Sequence, residues 1–91
     1  LYGGPHAQVV RDQWLGINFN QVLAHRGFVI WQMDNRGSAG RGHTWESRIH
    51  RNFGRVEVAD QVEGVNHLIS LGFVDPARIG IHGWSYGGYM T

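Results

Sequence analysis

The chain has 91 residues, of which 42% are hydrophobic and 14 are glycine, a composition typical of a folded protein interior with many turns. Eight basic and seven acidic residues are interspersed and give a formal net charge of +1, so neither nucleic acid nor a membrane surface is indicated as a partner. The absence of cysteine excludes disulfides and thiolate catalysis, and the longest apolar run, residues 28–31, is too short to span a bilayer.

The first predicted helix follows a turn that contains glycine and proline. Pro5 comes after two glycines and would end any strand that finishes at residues 1–2. Beyond about Gln13, apolar residues recur at helical spacing: Leu15, Phe19, Val22 and Leu23. Gly27 supplies a stop signal. We therefore predict a strand end, a turn and one amphipathic helix.

A buried strand and a long loop are predicted next. Residues 28–33 are a nearly continuous run of apolar residues, which predicts a strand buried on both faces of a parallel sheet. The segment 34–52 is too long for a simple connector, and loops at strand ends often serve sites. Its three glycines between residues 37 and 42 match no phosphate-binding fingerprint, so we interpret them as positive-φ or mobile positions. Arg36, beside Asp34, is interpreted as a structural ion-pair partner.

A second helix and a second strand complete the alternating order. The helix is predicted to start near Arg55 and to end at Gly72. One face of it holds apolar residues at the i, i+4, i+7 and i+11 positions: Val58, Val62, Val65 and Ile69. A turn at residues 75–76 then leads to a short predicted strand at 78–82. Alternation of this kind predicts an α/β fold with parallel strands joined by right-handed helical crossovers.

A serine flanked by glycines follows that strand, in the segment Gly83-Trp84-Ser85-Tyr86-Gly87. A strand that runs into G-x-S-x-G is the pattern of the nucleophile elbow of α/β-hydrolases, where small residues permit a sharp bend that exposes the hydroxyl. We predict Ser85 as a nucleophile, with the Tyr86 backbone N–H directed at the oxyanion of acyl transfer. A glycine-rich turn without chemistry is the alternative, and the preceding strand and crossovers favour the catalytic interpretation.

The histidines offer no partner for this serine. A serine nucleophile needs a general base, and in this fold the acid and the histidine follow the serine in the chain. All six histidines precede Ser85: His6, His25, His43, His50, His67 and His82. They also lack the spacing of metal ligands, so neither a metal site nor a cofactor is predicted. His82 is interpreted as a packed or hydrogen-bonded residue beside the elbow.

Together these motifs resemble the catalytic domain of the prolyl oligopeptidase family of serine peptidases, and most closely its dipeptidyl peptidase IV branch. Five segments, spread over nearly the whole chain, carry the resemblance: Tyr2-Gly3-Gly4-Pro5, Asp34-Asn35-Arg36-Gly37-Ser38, Val58-Ala59-Asp60-Gln61, Gly72-Phe73-Val74-Asp75 and Gly83-Trp84-Ser85-Tyr86-Gly87-Gly88-Tyr89-Met90. The last segment is the most specific, because it adds fixed side chains to a generic serine elbow.

The resemblance implies a set of site residues and a place in a larger protein. Residues 1–91 are expected to be a fragment of one α/β-hydrolase catalytic domain, with the propeller domain and the C-terminal part of the catalytic domain outside it. Ser85 is implied as the nucleophile, and the Tyr2 hydroxyl with the Tyr86 N–H as the oxyanion hole. Tyr86 and Trp84 are implied to border the substrate. Without the resemblance, Tyr2 would be interpreted as an aromatic residue at a strand end, and Trp84 and Tyr86 as packing residues around the elbow.

The implied activity is the release of N-terminal dipeptides from peptide substrates, with proline or alanine preferred second, through an acyl-enzyme on Ser85. Acylaminoacyl peptidases and prolyl oligopeptidases of the same family are alternatives, as are a lipase or esterase and an inactive binding protein on the same scaffold. The 91 residues alone are expected to be inactive and poorly folded, because the base is missing and sheet edges are bare. A homodimeric parent protein is compatible with the resemblance, but the residues themselves indicate no oligomeric state.

Overall fold

The computed structural model describes residues 1–91 and contains four α-helices and one 3₁₀ helix. In chain order these are α1 (Phe19–His25), α2 (His43–Glu46), the 3₁₀ helix (Ser47–Ile49), α3 (Val56–Ser70) and α4 (Tyr86–Tyr89). Two of them, α2 and the 3₁₀ helix, lie inside the segment that the sequence predicted as one long loop. None of the helices is both long enough and apolar enough to cross a membrane.

Helix α1 is shorter than predicted because a capping residue sets its start. The Asn18 side chain accepts hydrogen bonds from the N–H groups of Asn20 and Gln21, at 2.9 and 3.4 Å, so the helix begins at Phe19 and not near residue 13. Gly27, with φ 89°, follows the end of the helix as predicted. No residue of α1 is buried, and Phe19 is 60% exposed.

Helix α3 has the bounds that the sequence predicted. Its first residue follows Arg55, and Gly72, one residue beyond the C-cap, has φ 80°, a conformation that glycine adopts without steric cost. With 15 residues it is the longest element of the chain, and the site described below is assembled along it.

The buried face of α3 is not the one that the apolar pattern predicted. Of the four residues on the predicted face, Val58 and Val62 are 41% and 51% exposed, and Val65 and Ile69 are half-buried. The face turned toward the rest of the chain has the spacing i, i+3, i+4, i+7 and is formed by Glu57, Asp60, Gln61 and Gly64. Hydrogen bonds to the loop and to the serine turn, described below, hold this polar side of the helix inward.

The two predicted strands are not formed. No residue of the chain is assigned to a strand, and no backbone hydrogen bond joins residues 28–33 to residues 78–82. The expected burial on both faces is also absent, since Phe28 is 61% and Ile81 63% exposed. The strand predictions are therefore wrong for this chain, although the one helix predicted between them, α3, was predicted correctly.

Residues 1–3 contact the chain at the end of each predicted strand. The Leu1 amino group donates to the His82 carbonyl at 2.6 Å, and the Asn35 side chain donates to the Gly3 carbonyl at 3.1 Å. The bond from Leu1 to His82 is the one main-chain hydrogen bond between residues 1–3 and either predicted strand. A ladder needs a partner strand within about 5 Å along its whole length, which three residues do not provide.

The loop after residue 33 contains the one buried hydrophobic side chain, Ile49, which is 1% exposed. Ile49 packs against the backbone of Gly37, where any added Cβ would overlap the Ile49 side chain. Gly37, Gly40 and Gly42 have φ values of 99°, 87° and 83°, which confirms the predicted positive-φ positions. The loop is therefore an ordered part of the fold that packs beside α3.

Candidate active site

The serine turn has the strained backbone that a nucleophile elbow requires. Ser85 has φ 56° and ψ −119°, a conformation that is costly for a residue with a Cβ. A Cβ at Gly83 would overlap the Gly87 carbonyl group, and a Cβ at Gly87 would overlap the Leu1 carbonyl oxygen. Both motif glycines are therefore required by close backbone approach, as the elbow interpretation expects.

The backbone N–H of Tyr86 is unpaired within the chain. The Ser85 carbonyl accepts from the Gly88 and Tyr89 N–H groups at 2.9 and 3.2 Å, and the Tyr86 carbonyl accepts from the Met90 N–H at 3.0 Å. The Tyr86 N–H, at the first position of α4, has no such acceptor. It is a free donor directly after Ser85, whose own hydroxyl makes no capping bond.

The ring of Tyr86 is held on several sides. Its hydroxyl donates to Glu57 Oε1 at 2.5 Å. The rings of Phe53 and Tyr89 meet it edge-on, at centroid distances of 5.9 and 5.3 Å, and the ring of Tyr2 lies 6.3 Å away. Burial raises the pKa of Tyr86, and the hydrogen bond to Glu57 raises that pKa further. Tyr86 therefore remains a neutral phenol that donates to the carboxylate.

Glu57 is a site residue that the sequence did not reveal. It is fully buried, its Oε1 also accepts from the Gly54 N–H at 3.1 Å, and its Oε2 has no hydrogen-bond partner. The apolar pattern of α3 predicted that the neighbouring valine face is the buried one. The available signal was the polar spacing from Glu57 to Asp60 and Gln61, which repeats once per turn.

A second anchor joins α3 to the loop through Arg36 and Asp60. Arg36 donates from Nε and Nη2 to the carboxylate, at 3.0 and 2.5 Å, and its backbone N–H donates to Asp60 Oδ2 at 2.8 Å. Partial burial alone would raise the pKa of Asp60, but the hydrogen bonds and charge of Arg36 outweigh it and lower the pKa. The prediction that Arg36 is a structural ion-pair partner is confirmed, with Asp60 as the partner. The neighbouring Asp34 accepts from the Val9 and Val10 N–H groups.

A buried asparagine connects the turn at residues 2–5 to α3. Asn35 is 1% exposed, and its amide nitrogen donates to the carbonyls of Gly3 and Arg36, at 3.1 and 2.7 Å. Its amide oxygen accepts from Gln61 Nε2 at 3.1 Å. Every polar atom of this side chain is therefore paired, and the turn that carries Tyr2 is fixed relative to the helix.

The structure brings Tyr2 and Tyr86 together but leaves Trp84 outside. The Tyr2 ring lies across Gly4, where a Cβ would come within 2.6 Å of Tyr2 Cε1, and it faces the Tyr86 ring. Trp84 is 85% exposed. It is therefore not a packing residue of the elbow in this chain, and its exposed indole could contact a ligand or another part of the protein.

None of the histidines is part of this cluster. His82 lies just before the elbow, is exposed, and stacks loosely on Phe19 at a ring distance of 5.9 Å. The predicted packing of His82 is therefore limited to its contact with Phe19. No group of three histidine, aspartate or glutamate side chains has the arrangement of a metal site.

Comparison with known proteins identifies the family. Residues 17–91 match the prolyl oligopeptidase family, and the chain belongs to that family. It is 44% identical over 94 residues to dipeptidyl peptidase 8 of Mus musculus and of Homo sapiens, with 100% of this chain and 10% of each relative covered. It is 41% identical over 93 residues to the "Probable dipeptidyl peptidase 4" of Emericella nidulans, with 99% of this chain and 12% of that protein covered.

A solved structure has the same backbone. The chain superposes with a TM-score of 0.94 on a crystal structure from Bacteroides ovatus, described as a "putative dipeptidyl aminopeptidase IV", at 47% identity. The match covers 100% of this chain and 13% of that one. The chain thus spans about an eighth of that structure and 10 to 12% of the relatives named above.

Proposed function

We propose that these residues supply the nucleophile and the oxyanion hole of a serine peptidase with an α/β-hydrolase catalytic domain. One observation carries the proposal: Ser85 has a strained positive φ and is followed directly by an unpaired backbone N–H on Tyr86. A turn of this kind exposes a hydroxyl and provides a fixed donor beside it. Membership of the prolyl oligopeptidase family supports the same reaction class.

The proposed reaction begins with attack of the Ser85 hydroxyl on the scissile carbonyl carbon. The charge that develops on the carbonyl oxygen is stabilised by the Tyr86 N–H and by the Tyr2 hydroxyl. A general base takes the serine proton and passes it to the leaving amine, which departs and leaves an acyl-enzyme. Water then releases the acyl group. The base and its carboxylate partner would come from residues outside positions 1–91 of the full-length protein.

The Tyr2 part of this proposal has a direct test. Tyr2→Phe in the full-length protein removes the hydroxyl and retains the ring that faces Tyr86. Loss of one oxyanion donor is expected to lower kcat by about 10²- to 10³-fold. Steady-state kinetics on a peptide substrate measure the effect, and a kcat equal to that of the wild type would remove Tyr2 from the oxyanion hole.

The proposed substrates are peptides with a free N-terminus, from which dipeptides with proline or alanine second are released. The names of the relatives support this choice: dipeptidyl peptidases 8 and 4 and a dipeptidyl aminopeptidase IV. Recognition of the free amine needs negative charge near the N-terminus of the substrate. We assign no residue of this chain to that role.

The deciding experiment compares two substrates and one variant in the full-length protein. Gly-Pro linked to a reporter amine is offered with a free and with an acetylated N-terminus, and Ser85→Ala is the control. Cleavage of the free form alone, lost in the variant, is the expected result. Preference for the acetylated form would indicate an acylaminoacyl peptidase or an oligopeptidase, and failure to cleave either form would favour an inactive binding protein on the same scaffold.

We further propose that the isolated 91 residues are inactive and fold poorly. The only buried hydrophobic side chain is Ile49, and no histidine lies in the site cluster. The purified chain is expected not to hydrolyse an activated ester and to lose its helical circular dichroism gradually on heating. A sharp thermal transition together with ester hydrolysis would contradict this proposal.

A further inference from the structure

We propose that Glu57 is a positioning residue of the reaction: by anchoring the Tyr86 side chain to α3, it holds the Tyr86 N–H in the direction that the oxyanion requires. The inference rests on the function proposed above. Glu57 contacts neither the nucleophile nor the substrate in this arrangement. It acts on the reaction only through Tyr86.

The anchor is built from two hydrogen bonds to one carboxylate oxygen. Glu57 Oε1 accepts from the Tyr86 hydroxyl at 2.5 Å and from the Gly54 N–H at 3.1 Å. Glu57 itself lies in the first turn of the 15-residue α3. The Tyr86 ring is thereby connected to the longest helix of the chain and not merely to the four-residue α4.

Helix α3 is itself fixed to the turn that carries Tyr2. Asp60 binds Arg36 through the two-pronged contact described above, and Gln61 donates to Asn35, whose amide bonds the Gly3 carbonyl. One face of α3 therefore connects both proposed oxyanion donors, Tyr2 and Tyr86. A helix that holds both donors sets the distance between them.

The Tyr86 N–H shares a peptide plane with the Ser85 carbonyl, which accepts from the Gly88 and Tyr89 N–H groups, so its direction follows that of α4. The anchor acts by holding α4 in place. The N–H has no intrachain acceptor, and Ser85 before it is in a strained conformation that other backbone arrangements would relieve. The Cα of Tyr86 is bonded both to the backbone nitrogen and to the side chain. Fixing the ring by Glu57, Phe53 and Tyr89 therefore restricts rotation of the peptide plane between Ser85 and Tyr86.

A buried carboxyl group at position 57 would be unfavourable if the side chain only filled space. Glu57 is fully buried with Oε2 unpaired, and a buried charged group without full hydrogen bonding is unfavourable. An apolar side chain of similar volume would fill the space without that cost. An apolar side chain could not, however, accept a hydrogen bond from the Tyr86 hydroxyl. The ability to accept this hydrogen bond distinguishes Glu57 from an apolar residue of similar volume.

The test uses variants of the full-length protein, with kcat measured per reactive serine. A fluorophosphonate probe titrates the fraction of molecules with a reactive Ser85, so that misfolded protein does not count. Glu57→Ala and Tyr86→Phe are each expected to lower kcat about tenfold or more, with KM changed less than about twofold. Glu57→Gln retains an acceptor oxygen and is expected to recover kcat to within about threefold of the wild type.

The double variant separates positioning from two independent effects. If Glu57 acts through the Tyr86 hydroxyl, Glu57→Ala combined with Tyr86→Phe lowers kcat no further than the more damaging single change. Glu63→Ala, on the exposed side of the same helix, is the matched control and is expected to leave kcat unchanged.

Three results would overturn the inference, and they are distinguishable. Unchanged kcat per titrated serine in both Glu57→Ala and Tyr86→Phe would show that Glu57 contributes to folding alone, and the proposed function would stand. A wild-type protein that the probe does not label would contradict the proposed function itself, and the inference with it. Fully additive losses in the double variant would also contradict an action through Tyr86.

Discussion

The two sides of α3 differ in chemistry and in surroundings. One side is polar and faces inward: Glu57 contacts the serine turn, and Asp60 and Gln61 contact the loop after residue 33. The other side carries Val58 and Val62, both more than 40% exposed. Hydrogen bonds and one ion pair hold the polar side of α3 against the serine turn and the loop, and apolar contacts contribute little. The buried contacts around the candidate site are therefore mainly polar.

The contrast extends along the chain. The extended segments at 28–33 and 78–82 expose large apolar side chains, as α1 does, while Asn35, Ser38 and Glu57 are at most 1% exposed. Exposed apolar patches of this extent commonly mark surfaces that other parts of a protein cover. The largest predicted effects below therefore concern the serine turn, and smaller ones concern the two sides of α3.

The largest effect is expected at the elbow glycines. Gly83→Ala places a Cβ on the Gly87 carbonyl group, whereas Gly88→Ala meets only the Gly83 carbonyl oxygen at 3.9 Å. In the full-length protein, Gly83→Ala should reduce peptide turnover by about 100-fold or more, because small displacements of a nucleophile have effects of that order. Turnover and probe labelling measure it. Equal activity in the two variants would mean that the turn tolerates displacement.

An intermediate effect is expected on the apolar side of α3. In the full-length protein, Val62→Ser should lower the free energy of unfolding by about 1–2 kcal/mol, since an apolar stripe on a helix is normally buried. In the isolated 91 residues the same change should leave the helical circular dichroism almost unchanged, because Val62 is 51% exposed there. Denaturant unfolding of the full-length protein and circular dichroism of the isolated residues measure these two effects. A small effect in the full-length protein would mean that this side of α3 faces solvent there as well.

The smallest effect is expected on the polar side, and it depends on pH. Because Arg36 lowers the pKa of Asp60 in the folded state, the ionised carboxylate stabilises the fold above the ordinary aspartate pKa of about 4. That contribution is lost as the pH falls through the lowered pKa. In the full-length protein, Asp60→Asn should therefore lower the midpoint of thermal unfolding by a few degrees near neutral pH. The decrease should become progressively smaller as the pH falls below about 4.

The matched control for this prediction is Asp75→Asn, which also removes a carboxylate that contacts an arginine. Arg78 and Asp75 are far more exposed, with side-chain exposures of 83% and 46%. Solvent screens such a pair strongly, so little change in the midpoint is expected at either pH. A difference between wild type and Asp60→Asn that stayed constant with pH would contradict the role of the ionised Asp60.

Local signals in the sequence were sufficient for the serine turn and for α3. The spacing of Gly83, Ser85 and Gly87 predicted a turn that the structure shows to be sterically constrained, and Gly72 marked the end of α3 correctly. These features depend on residues within one turn of each other. Sequence patterns report such short-range requirements well.

Features that depend on distant partners could not be predicted. The partner of Arg36 is 24 positions away at Asp60, and Glu57 binds Tyr86 across 29 positions. The strands at 28–33 and 78–82 have suitable composition, but a strand exists only when another strand pairs with it. The start of α1 was misplaced because the capping contribution of Asn18 was not weighed against apolar spacing.

The backbone of Ser85 also bears on how such a protein could change over time. Its positive φ costs a residue with a Cβ on the order of 1–3 kcal/mol, whereas glycine adopts the same conformation freely. Replacement by glycine would therefore remove the nucleophile and relieve the strain in one step, while replacement by alanine would remove only the nucleophile. A lineage released from the need for catalysis could gain stability at this position, so the stability of the fold and the reactivity of the serine oppose each other at a single residue.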